Sequence, residues 1–176
     1  MIPTQDTIAA IATAAGGGVG IIRLSGPDAI AITHAHFTGL PTPATPRHVY
    51  HGWWRDDAQR DLDEGLVIIM PGPGSYTGED VVEVQLHGGA LGLQRALDVC
   101  VKAGARPAGP GEFTRRAFLN GRIDLTRAEA IADLVDARTD QALAAARTHL
   151  RGALERTCLD ARERLLNLRA SLEVNI

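Results

Sequence analysis

Apolar positions follow two different periods along this chain. Up to about residue 110 they fall mostly in short runs rich in β-branched residues, the pattern of strands, with two helical stretches between them. From residue 112 onward they recur every three or four residues, the pattern of helices. Strands are expected at residues 7–13, 20–25, 48–55, 64–70 and 81–86, with a brief one at 105–108. The glycine-rich stretch 14–20 joins the first two strands and allows them to pair as a hairpin. Pro27 suits the first turn of a helix over 27–37. Three prolines between Leu40 and Pro46 impose an extended connection, and the polar residues 56–63 read as a turn.

A second helix is expected over 90–103, with Leu93, Ala96, Leu97, Cys100 and Val101 on one stripe and Gly104 closing it. A short helix over 112–119 ends at Asn120-Gly121. Thr126 and Glu129 have the spacing of a capping box, which starts a helix running to about Arg138. Thr139 caps a last helix that continues to the end of the chain, with Leu150, Leu154, Cys158, Ala161, Leu165, Leu168 and Leu172 on one stripe. That stripe has no partner in the sequence, and no turn residue or polar tail follows it. The chain therefore reads as a truncated piece of a longer protein.

Composition sharpens this picture in a few places. The chain has 176 residues, enough for one large domain or one domain with a helical extension. Aromatics make up only 4% of it, so the core must be aliphatic. The net charge of −3 gives no bulk attraction to nucleic acid. Cys100 and Cys158 both sit in apolar-periodic stretches without metal-ligand spacing and read as buried thiols of a reducing compartment, though the sequence leaves a disulfide between them open. No apolar run is long enough to span a bilayer, and the first residues lack the basic start of a signal peptide, so the expectation is a cytoplasmic protein with no membrane partner.

The candidate chemistry gathers in one stretch, PGPGSYTGEDVVEVQLHGG at residues 71–89. Its first half is a loop of prolines and glycines carrying Tyr76, and its second half is a strand. Glu83 lies between Val82 and Val84, so alternation turns it to the opposite face. An acid within so apolar a strand either faces water or is held by a partner, because burying it alone is costly. Glu79 sits in the loop, which is read as mobile, and carries a lesser role.

Other patterns lead away from chemistry. The glycines of residues 16–20 are not followed by the Lys-Ser or Lys-Thr of a phosphate loop; they suit close backbone approach to a ligand or another chain. The histidines are scattered, and no serine, histidine and acid triad is evident, so neither a metal site nor a catalytic residue is assigned. The arginines of the second half, Arg115, Arg116 and Arg122 among them, alternate with acids and read as solvated, salt-bridged helix faces.

Three blocks in order, GGVGIIRLSG at 17–26, the 71–89 stretch, and PGEFTRRAFLNGRIDLTRAEAIADLVDA at 110–137, together resemble the MnmE (TrmE) family of tRNA-modification GTPases. The resemblance implies an α+β fold: a tetrahydrofolate-binding domain similar to that of aminomethyltransferases, followed by the start of an α-helical domain. On this reading residues 1–119 form the folate-binding and dimerisation domain. Residues 120–176 form the opening helices of the helical domain, cut before the GTPase domain. Folate contacts carried over by motif fall on Arg23, Glu83 and Arg122, the last standing where the family's pattern has Lys.

The implied ligand is 5-formyl-tetrahydrofolate or a related tetrahydrofolate; GTP, magnesium and potassium belong to the GTPase domain, so the chain alone is not expected to hydrolyse GTP. The implied partners are a second copy of the chain, in a homodimer, the flavoprotein MnmG, and tRNA. With MnmG the family modifies C5 of the wobble uridine using a tetrahydrofolate one-carbon unit. The alternative is a free-standing, folate-dependent aminomethyltransferase-like protein.

Overall fold

A computed structural model describes residues 6–150 and 153–173. It resolves into two compact units, Met1–Arg122 and Ile123–Ile176. The first holds β1 (Ile8–Ile11), β2 (Val19–Ser25), α1 (Ala29–His36), β3 (Val49–Arg55), β4 (Asp61–Met70), β5 (Val81–His87), α2 (Ala90–Lys102), β6 (Arg106–Pro107) and α3 (Glu112–Leu119). The second holds α4 (Leu125–Asp136), α5 (Asp140–Leu150) and α6 (Ala153–Glu173). The class is therefore mixed α+β.

The six strands form one sheet in the order β3-β4-β5-β2-β1-β6. All neighbours are antiparallel except β1 and β6, which run parallel. The expected hairpin forms, with Ile8 opposite Ser25 and Ile11 opposite Ile22. Alternation then sorts the side chains. Ile22 and Leu24 of β2, Val82, Val84 and Leu86 of β5, Val67 and Ile69 of β4 and Trp54 of β3 turn to one face. There they pack with Ala29 and Ile32 of α1 and Leu93, Ala96, Val99 and Cys100 of α2. Gly20 lets α2 lie close to the sheet: a Cβ there would run into the Leu93 side chain.

Several local expectations shift. β4 begins at Asp61, because Arg55 and Asp61 close the β3–β4 hairpin with an Nε–Oδ1 contact of 2.7 Å. On α2 it is Val99 that is buried, while Val101 is exposed. The cap of α4 is Asp124, whose carboxylate accepts from the Arg127 amide at 2.9 Å; Thr126 donates to that same carboxylate. Thr139 does cap α5, accepting from the Ala142 amide at 3.2 Å. The expectation of one helix from Thr139 onward turns on residues 151 and 152, which lie outside the described residues. Both cysteines are free, but only Cys100 is buried; Cys158 is exposed on α6. Burial pushes the Cys100 thiol up to about 12, so it packs as an apolar group. Among the described residues no helix is long and apolar enough to cross a membrane.

Candidate functional site

The strand register builds the site. Residue 23 of β2 lies directly opposite residue 83 of β5, and both point away from the α1–α2 face. Arg23 Nε and Nη2 reach Glu83 Oε1 at 2.9 and 2.7 Å. Of the two readings open for Glu83, the structure selects the held acid: its side chain is 19% exposed and that of Arg23 29%. Both Arg23 bonds go to Oε1, which leaves Oε2 for another donor. The Arg23 guanidinium also lies 5.7 Å from the Tyr76 ring centre and 5.6 Å from that of Phe113 on α3. The Tyr76 hydroxyl shares a hydrogen bond of 2.9 Å with Thr114 Oγ1. A cation, a carboxylate and two aromatic rings thus meet on the face of the sheet opposite the helix-packed core.

Arg122 enters from the turn after α3. Its Nε donates to the Ser75 carbonyl at 3.1 Å, while Asn120 Nδ2 donates to the Thr77 carbonyl at 2.8 Å. Gly78, at φ +82°, lies against both side chains; a Cβ there would press on Arg122 Cγ at 3.1 Å. The structure therefore joins Arg23 and Arg122 through the loop that carries Tyr76, with Glu83 joined directly to Arg23.

Beneath this loop lies a network that the sequence pattern does not show. Arg116 of α3 is 2% exposed, so it is no part of a solvated face. Its Nη1 donates to the Asp6 carbonyl at 2.8 Å and to Glu79 Oε2 at 3.1 Å; its Nη2 donates to Asp6 Oδ1 at 2.8 Å. Ser25 Oγ donates to Glu79 Oε2 at 2.7 Å and lies 2.7 Å from Thr77 Oγ1. Glu79, expected on a mobile loop, is thus anchored from two elements, β2 and α3. The signal in the sequence is the helical spacing: Arg116 follows Phe113 by three residues and Glu112 by four, on the inward side of α3. The glycine-rich turn before β2 does make a close backbone approach, but to its own chain: Gly16 N donates to Gly88 O at 2.8 Å, and a Cβ at Gly88 would overlap the Gly17 carbonyl. Among the described residues no group of three or more His, Cys, Asp or Glu could hold a metal ion.

The rim of the network sets an acid limit. Hydrogen bonds from Arg106 hold the Glu112 carboxyl down at about 2, against an ordinary 4.5, with further help from the Gly109 amide. A carboxylate lowered on folding stabilises the fold fully above its unfolded value and loses that contribution as pH falls from about 4.5 toward 2. Glu112→Gln should therefore flatten the acid limb of unfolding midpoint against pH in that window. The difference should be on the order of 1–3 kcal/mol after screening by solvent. Equal acid limbs for the two proteins would remove Glu112 from this role.

Known proteins match the chain from end to end. A family model described as the N-terminus of the GTP-binding protein TrmE matches residues 7–122, and one described as the MnmE helical domain matches residues 125–176. A protein of Symbiobacterium thermophilum named tRNA modification GTPase MnmE is 52% identical over 98% of this chain and 39% of its own length. One of the same name from Stutzerimonas stutzeri is 49% identical over 100% of this chain and 38% of its own length. A third, from a Synechococcus species, is 49% identical over 99% of this chain and 39% of its own length. The chain thus spans about two-fifths of the length of these relatives.

Proposed function

Since the chain belongs to the family of the tRNA modification GTPase MnmE (TrmE), we propose that its first unit binds a tetrahydrofolate and joins two subunits of the longer protein. The observation that carries this reading is the Arg23–Glu83 pair flanked by Tyr76 and Phe113. A reduced pterin presents a ring N–H beside an amino group, and a carboxylate is the acceptor that takes both. Such charge-assisted bonds contribute about 1.5–3 kcal/mol each. Arg23 orients Glu83 through Oε1; Oε2 takes one pterin donor, and Oε1, shared with Arg23, takes the other. Arg122, an always-charged fork, suits the anionic tail of a folate or the oxygen of its one-carbon group. Tetrahydrofolate, when bound, supplies the one-carbon unit; the residues of this chain bind and orient it.

In the same reading the fold of this unit is that of the aminomethyltransferase folate domains. The longer protein works in the cytoplasm with MnmG on C5 of the wobble uridine of tRNA, and GTP hydrolysis with magnesium and potassium belongs to its other parts. The free-standing aminomethyltransferase-like alternative is not favoured, because MnmE proteins align along nearly the whole of this chain. Calorimetric titration of 5-formyl-tetrahydrofolate into the 176-residue chain tests the ligand. Saturable binding at one site per chain is expected, and the absence of any saturable heat would overturn it.

Self-association has its own check. The exposed leucines Leu165, Leu168 and Leu172 on α6 and the open sheet face with Val19, Val49 and Trp53 leave apolar surface for a second copy to cover. Sedimentation at micromolar concentration should show a dimer. A monomer across that range contradicts the dimerising role.

A further inference from the structure

The loop of residues 71–80 is rich in glycine and proline and has few side chains of its own to bury. Fixing such a segment costs backbone entropy at every residue, so something must hold it. Its tip carries Tyr76 to the Arg23 guanidinium. Arg122 and Asn120 hold that tip through backbone carbonyls alone. The charged anchor is Glu79, whose side chain is 13% exposed and faces the buried Arg116. Glu79 Oε2 takes the Arg116 Nη1 and Ser25 Oγ bonds together, at 3.1 and 2.7 Å. Thr77 Oγ1 joins the same group and also accepts from the Glu79 amide at 3.2 Å. Both ends of the 77–79 segment are thereby tied to β2 and α3, the elements that supply Arg23 and Phe113.

We propose that Glu79 and Arg116 are positioning residues for the Arg23–Glu83 site, ordering the loop that sets Tyr76 against Arg23 while touching no ligand themselves. For its ligand the proposal rests on the folate reading above; for the ordering of the loop it does not. Glu79→Gln is the discriminating change, because it keeps the shape and an acceptor for Ser25 but removes the charge opposite Arg116.

Two measurements on the 176-residue chain decide it. In hydrogen exchange, the amides of residues 78 and 79, which donate to Ser75 Oγ and Thr77 Oγ1, should exchange at least about tenfold faster in Glu79→Gln. Amides of β5 and α2 should keep their rates. Loop amides at wild-type rates, or one common acceleration through the whole unit, overturns the proposal. In calorimetry, Glu79→Gln should weaken 5-formyl-tetrahydrofolate binding about tenfold when Tyr76 is present and less than about twofold in a Tyr76→Ala background, because the two changes act through one loop. Equal losses in both backgrounds overturn it. If the wild-type chain binds no 5-formyl-tetrahydrofolate, the folate reading fails, and the exchange rates alone decide whether Glu79 and Arg116 order the loop.

Discussion

Replacing Glu83 by Gln should weaken 5-formyl-tetrahydrofolate binding about thirty- to a thousand-fold, about 2–4 kcal/mol. The glutamine keeps the shape of the side chain but turns one acceptor oxygen into an amide donor. That donor would face a donor of the pterin, so one bond is lost and a repulsion takes its place. The fold should tolerate the change. The Arg23–Glu83 pair is partly exposed, and an amide oxygen can still accept from Arg23, so the stability cost should stay near about 1 kcal/mol. Calorimetric titration together with an unfolding midpoint separates the two effects. A folded Glu83→Gln that binds as tightly as the wild type removes Glu83 from the ligand and leaves it as the partner of Arg23 alone.

Arg116→Met should have the largest effect on stability, about 3–5 kcal/mol, or an unfolding midpoint roughly 10–20 °C lower. Methionine fills much of the space, but Glu79 is left with its charge in a largely buried place and Asp6 loses a strong donor. Breaking one side of a buried ion network costs far more than the network contributes over an apolar substitute, since the stranded charge has lost both water and partner. Arg106→Met is the control. Arg106 bonds Asp6 and Glu112 but is 50% exposed, so water replaces part of what it gives and the loss should be about 1–2 kcal/mol, clearly below that of Arg116→Met. Equal midpoints for the two variants would show that burial of Arg116 carries no special weight.

Local patterns carry the fold a long way. Apolar, β-branched runs mark the strands, and alternation turns Glu83 away from Val82 and Val84 as the structure has it. The β1–β2 hairpin and the short α3 follow from glycines and an Asn-Gly stop that act within a few residues. What is not legible depends on contacts distant in sequence. Nothing near Glu83 announces Arg23, because the two meet only when β5 settles beside β2, sixty positions away. Arg116 reads as one more arginine in an acid-rich helical half, and its partners Asp6 and Glu79 lie 110 and 37 positions off. Glycine and proline suggest a mobile loop at 71–80, yet three arginines from distant parts of the chain bond to it: Arg47 before β3, Arg116 on α3 and Arg122 in the turn after it. The cap of α4 is a smaller case: Asp124 and Thr126 are both good caps, and the extended backbone at Asp124 decides between them.

The central claim is that Glu83 reads the pterin of a bound tetrahydrofolate beside Arg23. A crystal structure of this chain with 5-formyl-tetrahydrofolate tests it most directly. The account predicts the pterin ring N–H and amino group at about 3 Å from the Glu83 carboxylate, with Arg23 still bonded to Oε1. A folate bound elsewhere, or one whose pterin leaves Glu83 untouched, would contradict it.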